Sequence, residues 1–242
     1  SDRAAYRLRD QYDQDVLGYL CGFEQSAKHG NADSLRTTSP GTNAVSSAGS
    51  NELLSSMVLN KGSFSQITTG SAGDHSIPLA TRLPGATSLP NDVVSPLQVI
   101  SRMGRLLDQQ FVDKADRWLV VDSVFLELLR DEDSRLVNSD YGGSGLQNGL
   151  VINNLHGFKV YSSNNLPTVG GGPATGGKAN QNTDFGVIVG GHGSAVATAQ
   201  QVSKTESYRD PDSFADIVRG MHLYGRKILR PEALVTAKYN VA

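Results

Sequence analysis

Phe214–Ala242 reads FADIVRGMHLYGRKILRPEALVTAKYNVA, and the rest of the chain is organised around it. Ala233, Val235, Ala237, Tyr239 and Val241 alternate with Leu234, Thr236, Lys238 and Asn240. This period-two pattern predicts a half-buried strand, mostly apolar on one side and polar on the other. Upstream, Ile217, Val218, Met221, Leu223, Tyr224, Ile228 and Leu229 form a longer β-compatible run. Gly220 and Gly225 interrupt it and predict bulges or bends rather than a helix. Pro231 has no amide hydrogen and a fixed φ, so Arg230-Pro231-Glu232 is a corner between the runs. Termini fray unless a sheet holds them; this sequence predicts a tail tied into one.

A long strand system needs a partner layer, and the first residues offer one. Ala5, Leu8, Tyr12, Val16, Tyr19 and Phe23 recur at spacings of three and four, one stripe of an amphipathic helix. Arg7, Asp10, Gln14 and Asp15 mark its polar side. Asp2 can cap the start and Gly22 lies near the end. The C-terminal strands are the expected partner of the stripe. Ser1 is not a Met and the helical pattern begins at once, so a preceding portion is expected to be missing.

Between these ends the chain is rich in turns. Residues 26–50 and 62–92 carry Ser, Thr, Gly, Asn and Pro with few large apolar residues, and read as surface loops. Glu52–Leu59 is a short apolar segment of either type. Ser95-Pro96 opens a second helix, with Ser at the N-cap and Pro at the first helical position. Leu97, Ile100, Met103, Leu106, Leu107 and Gln110 follow at helical spacing. Arg117–Asp122 reads as a buried strand, Val124–Leu129 as a short helix, and Leu150–Tyr161 as a strand pair turning at His156-Gly157. Phe185–Val189 reads as a buried strand and Ser194–Val202 as a short helix. Helices and strands mix without a βαβ rhythm, which predicts an α+β fold.

Composition narrows the function. Net charge is −2 and the pI is about 6.2; a groove that neutralises phosphates usually pushes the balance the other way, which leaves only a local basic patch open. The single Cys21, in an apolar stretch, excludes an internal disulfide framework and a multi-Cys zinc site. No run of about 18 apolar residues spans a membrane, and no signal-peptide pattern opens the chain.

Chemical motifs are incomplete. Gly172–Lys178 follows most of a P-loop, but Ala179 stands where Ser or Thr should hold magnesium. His192-Gly193-Ser194 approaches a nucleophile elbow, yet His192 occupies the first Gly position, and Ser194 reads more simply as a helix N-cap. His29, His75, His156, His192 and His222 form no HxH or HExxH arrangement. Asp131, Glu132, Asp133, Asp210 and Asp212 read as solvated turn ends. Arg219, Arg226, Lys227 and Arg230 share the C-terminal strands, available to phosphate or to acids of a neighbouring subunit. The sequence therefore assigns no catalytic, cofactor-binding or metal-binding residue, and no cofactor.

Five stretches carry a resemblance. Thr205–Tyr239, TESYRDPDSFADIVRGMHLYGRKILRPEALVTAKY, resembles the end of the major capsid proteins of tailed double-stranded DNA bacteriophages. Asn91–Val121 is similar to their central helix-then-strand unit, and Asp122–Leu129 to the strand end and short helix after it. Asn154–Pro167, NLHGFKVYSSNNLP, is similar to their G-F-x-V-Y-x-S-N-N-L-P segment, and Ser1–Phe23 to the back part of their spine helix. The order of these pieces makes the match specific. The resemblance implies a Hong Kong 97-type capsid fold with a long spine helix, peripheral β-strands and a mixed α/β axial domain. It implies residues 1–94 as part of the peripheral domain with long loops, 95–195 as mainly axial, and 196–242 as peripheral strands. The family's N-terminal arm and extended hairpin are not matched, so covalent crosslinking through a hairpin Lys does not transfer.

The implied role is a structural, non-enzymatic subunit that self-assembles into an icosahedral head around phage DNA. Its partners would be other copies in pentamers and hexamers, with portal and scaffolding or decoration proteins; packaged DNA would be held only non-specifically, and no membrane is involved. Its place would be the virion, after assembly in the bacterial host cytoplasm. The alternatives are an encapsulin-like shell housing cargo and, more remotely, a hydrolase using Ser194 and a His.

Overall fold

The computed structural model describes residues 2–21, 53–64, 76–80, 93–130, 155–169, 185–209 and 216–241. Three α-helices and nine strands form in the described residues: α1 (Asp2–Leu20), β1 (Val58–Leu59), β2 (Ile77–Leu79), α2 (Pro96–Gln109), β3 (Arg117–Val121) and α3 (Ser123–Arg130), then β4 (Lys159–Ser162), β5 (Thr168–Val169), β6 (Phe185–His192), β7 (Val196–Arg209), β8 (Asp216–Ile228) and β9 (Leu234–Val241). The class is α+β.

Seven strands form one sheet in the order β1-β9-β6-β3-β4, with β2 also on β9 and β5 also on β6. β9 is its spine. It runs antiparallel to β6 from Gly186↔Tyr239 to Gly191↔Leu234. On its other edge it takes β1 (Val58↔Thr236) and β2 (Ile77↔Tyr239), both parallel. β3 and β5 share the far edge of β6. β7 and β8 pair only with each other, as a separate two-stranded ribbon. Residues 196–242, expected as one group of strands, thus contribute to two sheets.

The register sorts the faces. Val235, Ala237 and Tyr239 align with Gly190, Ile188 and Gly186, and Leu119 of β3 lies beyond Gly190. Met103 of α2 and Phe125 of α3 cover this face. The opposite face of β9 carries Leu234, Thr236, Lys238 and Asn240, and it too is buried. The expected half-buried strand is therefore buried on both faces. Lys238 is accommodated because its ammonium lies 4.5 Å from the ring centroid of Phe185, two residues along β6 from its register partner Val187.

Other expectations also shift. Ser194–Val202 is not a helix: a 3-10 turn at Gly193–Ala195 leads into β7. Gly220 and Gly225 do not break β8; the irregularity lies on the partner strand, between Gln200 and Val202. Pro231 does mark a corner, a 3-10 turn at Pro231–Ala233. Residues 62–92 are not all loop, because β2 lies within them. Ser95 and Pro96 open α2 as expected, although the Ser95 side chain makes no capping bond. His156 (φ 50°) and Gly157 (φ 87°) form the two-residue turn of a hairpin closed by Leu155 and Phe158.

One buried polar cluster joins three elements. Asp122 follows β3 and caps α3: its Oδ1 accepts the Phe125 N–H at 3.0 Å. The same oxygen accepts a hydrogen bond from the Tyr239 hydroxyl. The Phe125 and Tyr239 rings meet edge to face at 5.3 Å. Burial raises the Asp122 carboxyl above its ordinary 3.8, against the opposing pull of the bonds from Tyr239 and Phe125. The Tyr239 hydroxyl is pushed up as well, first by burial and then by Asp122.

Two tests follow from this core. A Cβ on Gly191 would lie 2.7 Å from the Ala233 carbonyl oxygen, a backbone atom that cannot swing aside, whereas one on Gly193 would meet nothing within 4 Å. Gly191→Ala is expected to cost about 1–3 kcal/mol in urea unfolding, while Gly193→Ala changes stability by less than about 0.5 kcal/mol. Equal effects would refute the close approach. The second test uses pH. A carboxyl whose folded-state pKa is raised contributes most in acid, and that contribution falls as pH climbs from 3.8 through the raised value. Asp122→Asn keeps an acceptor oxygen and removes the titration. The urea midpoint of the variant minus that of the parent should therefore rise with pH across this window and then level off.

Candidate functional site

The described residues offer little that resembles a reactive centre. His192 Nδ1 lies 2.8 Å from Ser194 Oγ, so the structure does bring together the pair that a hydrolase reading needs. The same Nδ1 accepts the Ser194 backbone N–H at 3.2 Å, which makes His192, not Ser194, the N-cap of the 3-10 turn. Both residues lie on an exposed turn two positions apart, a local capping geometry rather than a nucleophile aimed into a pocket. Among the described residues no three His, Cys, Asp or Glu side chains group as metal ligands, and no helix is long and apolar enough to cross a membrane. Cys21 is buried, and burial raises its thiol pKa. The Gly172–Lys178 loop, His29, His75 and the acidic turns at 131–133 and 210–212 lie outside the described residues; of His222 only the backbone position in β8 is described.

The more informative geometry lies where α1 meets the ribbon. Tyr12 meets Tyr224 edge to face, ring centroids 4.7 Å apart. Half a turn to a full turn further along, Arg226 pairs with the Asp15 carboxylate and also donates to the Asp15 backbone oxygen at 2.7 Å. Its guanidinium stacks 4.8 Å from the Tyr19 ring centroid. The Tyr19 hydroxyl in turn accepts the Ile228 N–H at 3.4 Å. Residues 12, 15 and 19 share a helix face, and 224, 226 and 228 share a strand face. Both series ascend together, so α1 runs alongside β8 in the same direction.

This arrangement corrects two expectations. Asp15, assigned to the polar side of α1, is buried at 3% exposure because Arg226 needs an acid there. Arg226 and Arg230, for which the sequence left phosphate or a neighbour's acids open, meet acids of their own chain, Asp15 and, at 2.9 Å, Glu232. Burial lowers the Arg226 guanidinium pKa, yet the paired carboxylate keeps the charge useful. Lys227, on the opposite strand face, is exposed.

On its other side α1 reaches the larger sheet. Asn165 donates through Nδ2 to Asp10 at 2.9 Å and accepts from Gln14 Nε2 at 3.3 Å. The Ser163–Leu166 turn between β4 and β5 is thereby docked on the helix, with Ser163 Oγ accepting the Asn165 N–H. α1 is the strut between ribbon and sheet. The arrangement sets the relative position of two surfaces. A double-mutant cycle of Asp15→Asn and Arg226→Gln should give a coupling of about 1–3 kcal/mol in urea unfolding. A coupling below about 0.3 kcal/mol would reduce the pair to an ordinary surface contact.

Comparisons with known proteins bear on what such surfaces serve. A family model for phage capsid proteins matches residues 4–237. No curated protein sequence matches the chain. Among solved structures, one from Mycobacterium phage Che8 aligns at 30% identity over 68% of this chain and 53% of that one, with a TM-score of 0.49. The capsid structure of cyanophage P-SCSP1u aligns at 20% identity over 60% and 46%, TM-score 0.46. The mature capsid of bacteriophage PhiM1 aligns at 19% identity over 59% and 46%, TM-score 0.44. The chain spans about half the length of each of these proteins.

Proposed function

Because the chain belongs to the phage capsid protein family, we propose that it is the major subunit of an icosahedral phage head, assembling with copies of itself around double-stranded DNA. The observation that carries this reading is the family match along residues 4–237, nearly the whole chain. The geometry supports it: the polar and aromatic contacts are spent on fixing one surface against another. On this reading the fold is of the Hong Kong 97 type. The axial domain is built on the seven-stranded sheet with α2 and α3, and the peripheral domain on α1 with β7 and β8. β9 then belongs with the axial sheet, although the rest of 196–242 is peripheral.

The partners on this reading are other copies in pentamers and hexamers, with portal and scaffolding or decoration proteins at the vertices and during assembly. The subunit acts without catalysis, in the virion, after assembly in the host cytoplasm. A net charge of −2 supports loose, non-specific contact with packaged DNA. Many weak contacts per subunit sum to a stable shell, because each subunit meets several neighbours at once. The family match favours this reading over an encapsulin-like shell housing cargo.

Negative-stain electron microscopy with sedimentation of the source material tests it. Uniform shells tens of nanometres across, dominated by this chain and containing DNA, are expected. Protein-filled shells would favour the compartment instead. A monomer or dimer at every salt and pH tried would leave a shared ancestry without the shared role.

A further inference from the structure

α2 ends in a motif that most chains build with glycine. Gln110 is the C-cap, the Phe111 N–H donates to the Asp108 oxygen at 3.1 Å, and the Val112 N–H donates to the Leu107 oxygen at 3.1 Å. Leu107 and Val112 are both buried in the core, completing a Schellman closure. The residue after the cap must be left-handed, and Phe111 is, with φ 55°. A Cβ is disfavoured there. Among the described residues the side chain gains no packing in return, because Phe111 is 95% exposed.

The turn that carries it is rigidly built. Arg117, itself buried, donates to the Val112 oxygen at 2.5 Å, to the Asp113 oxygen at 2.7 Å and to the Asp108 carboxylate at 2.7 Å. Asp116, also left-handed at φ 54°, anchors the other end through Lys159 at 2.8 Å. A strained backbone, clamped from both ends, presents one large aromatic ring to the outside. Such outliers point towards function, and a preorganised aromatic is the kind of residue that dominates an interface.

We propose that Phe111 is an anchor of the contact between copies of this chain, inserting into an apolar site on the neighbouring subunit. The inference rests on the capsid reading. The charges around the ring favour a protein neighbour over nucleic acid: Arg117 and Lys114 face Asp108, and Lys159 faces Asp116, so these cations are already engaged within the chain. A surface of closely mixed sign meets another copy of the same protein without net repulsion.

The test separates the fold from the contact. Phe111→Gly removes the ring and relieves the backbone, so the thermal midpoint of the unassembled full-length subunit should hold or rise. The critical concentration for shell formation, followed by light scattering, should rise about tenfold or more. Phe111→Ala should weaken assembly similarly, and Phe111→Tyr should restore it. Assembly of Phe111→Gly at the parental concentration overturns the anchor while leaving the capsid reading intact. A fall in the subunit's own midpoint also overturns it, by showing that the ring packs within its own chain. Failure of the parent to form shells removes the capsid reading and the anchor together.

Discussion

The buried backbone of β9 must find hydrogen-bond partners on both edges, and much of the fold answers that demand. An unpaired buried amide or carbonyl costs about as much as a lost hydrogen bond. β6 supplies one edge over six register pairs. β1 and β2, strands of two and three residues, divide the other. Neither would be stable as a strand alone; each exists because β9 offers it a ladder. The segments that hold them are long and polar in sequence, and among their described residues each contributes a strand to the sheet. Gly191 belongs to the same constraint, since the chain turning through Pro231–Ala233 passes where any side chain would stand.

Covering both faces of β9 has its own requirements. Tyr239 and Asp122 each bring a polar atom into the core, and they satisfy one another while capping α3. Lys238 brings a charge, met by the face of Phe185. These groups confer little net stability, because their desolvation offsets much of the interaction. They do fix which way the strand lies and where α3 begins. A core of Leu and Val alone would tolerate slippage that this one does not.

Much of this was legible in the residues. The α1 stripe from Leu8 to Tyr19, Ser95-Pro96 before α2, the apolar run of β3 and the corner at Pro231 all follow from local rules, and the structure keeps them, while Phe23 and the Ala5 side chain lie outside the described residues. What escaped was non-local. Residues 62–92 read as loop, but β2 forms there beside β9 with Pro78 inside it, at an edge where a missing amide is tolerated. Asp15 resembled a solvated residue until Arg226, far along the chain, came to face it. Thr236, Lys238 and Asn240 read as an outer face because alternation reports polarity and not what covers it. His192 and Ser194 were correctly noticed as neighbours, but only the backbone N–H at Nδ1 reveals that the bond is a cap. Phe111 left no sequence signal, since nothing local distinguishes an exposed Phe at a helix end from a buried one.

The side-by-side course of α1 and β8 also has a mechanical meaning. The contacts at Tyr12, Asp15 and Tyr19 meet Tyr224, Arg226 and Ile228 in the same order along both elements. A pull along the ribbon therefore loads all three in shear at once. They yield together rather than being peeled open one after another. The helix then passes the force through Asp10 and Gln14 to the Asn165 turn and on into the sheet. On the capsid reading, a wall of such units would carry tension through side-chain joints arranged in parallel.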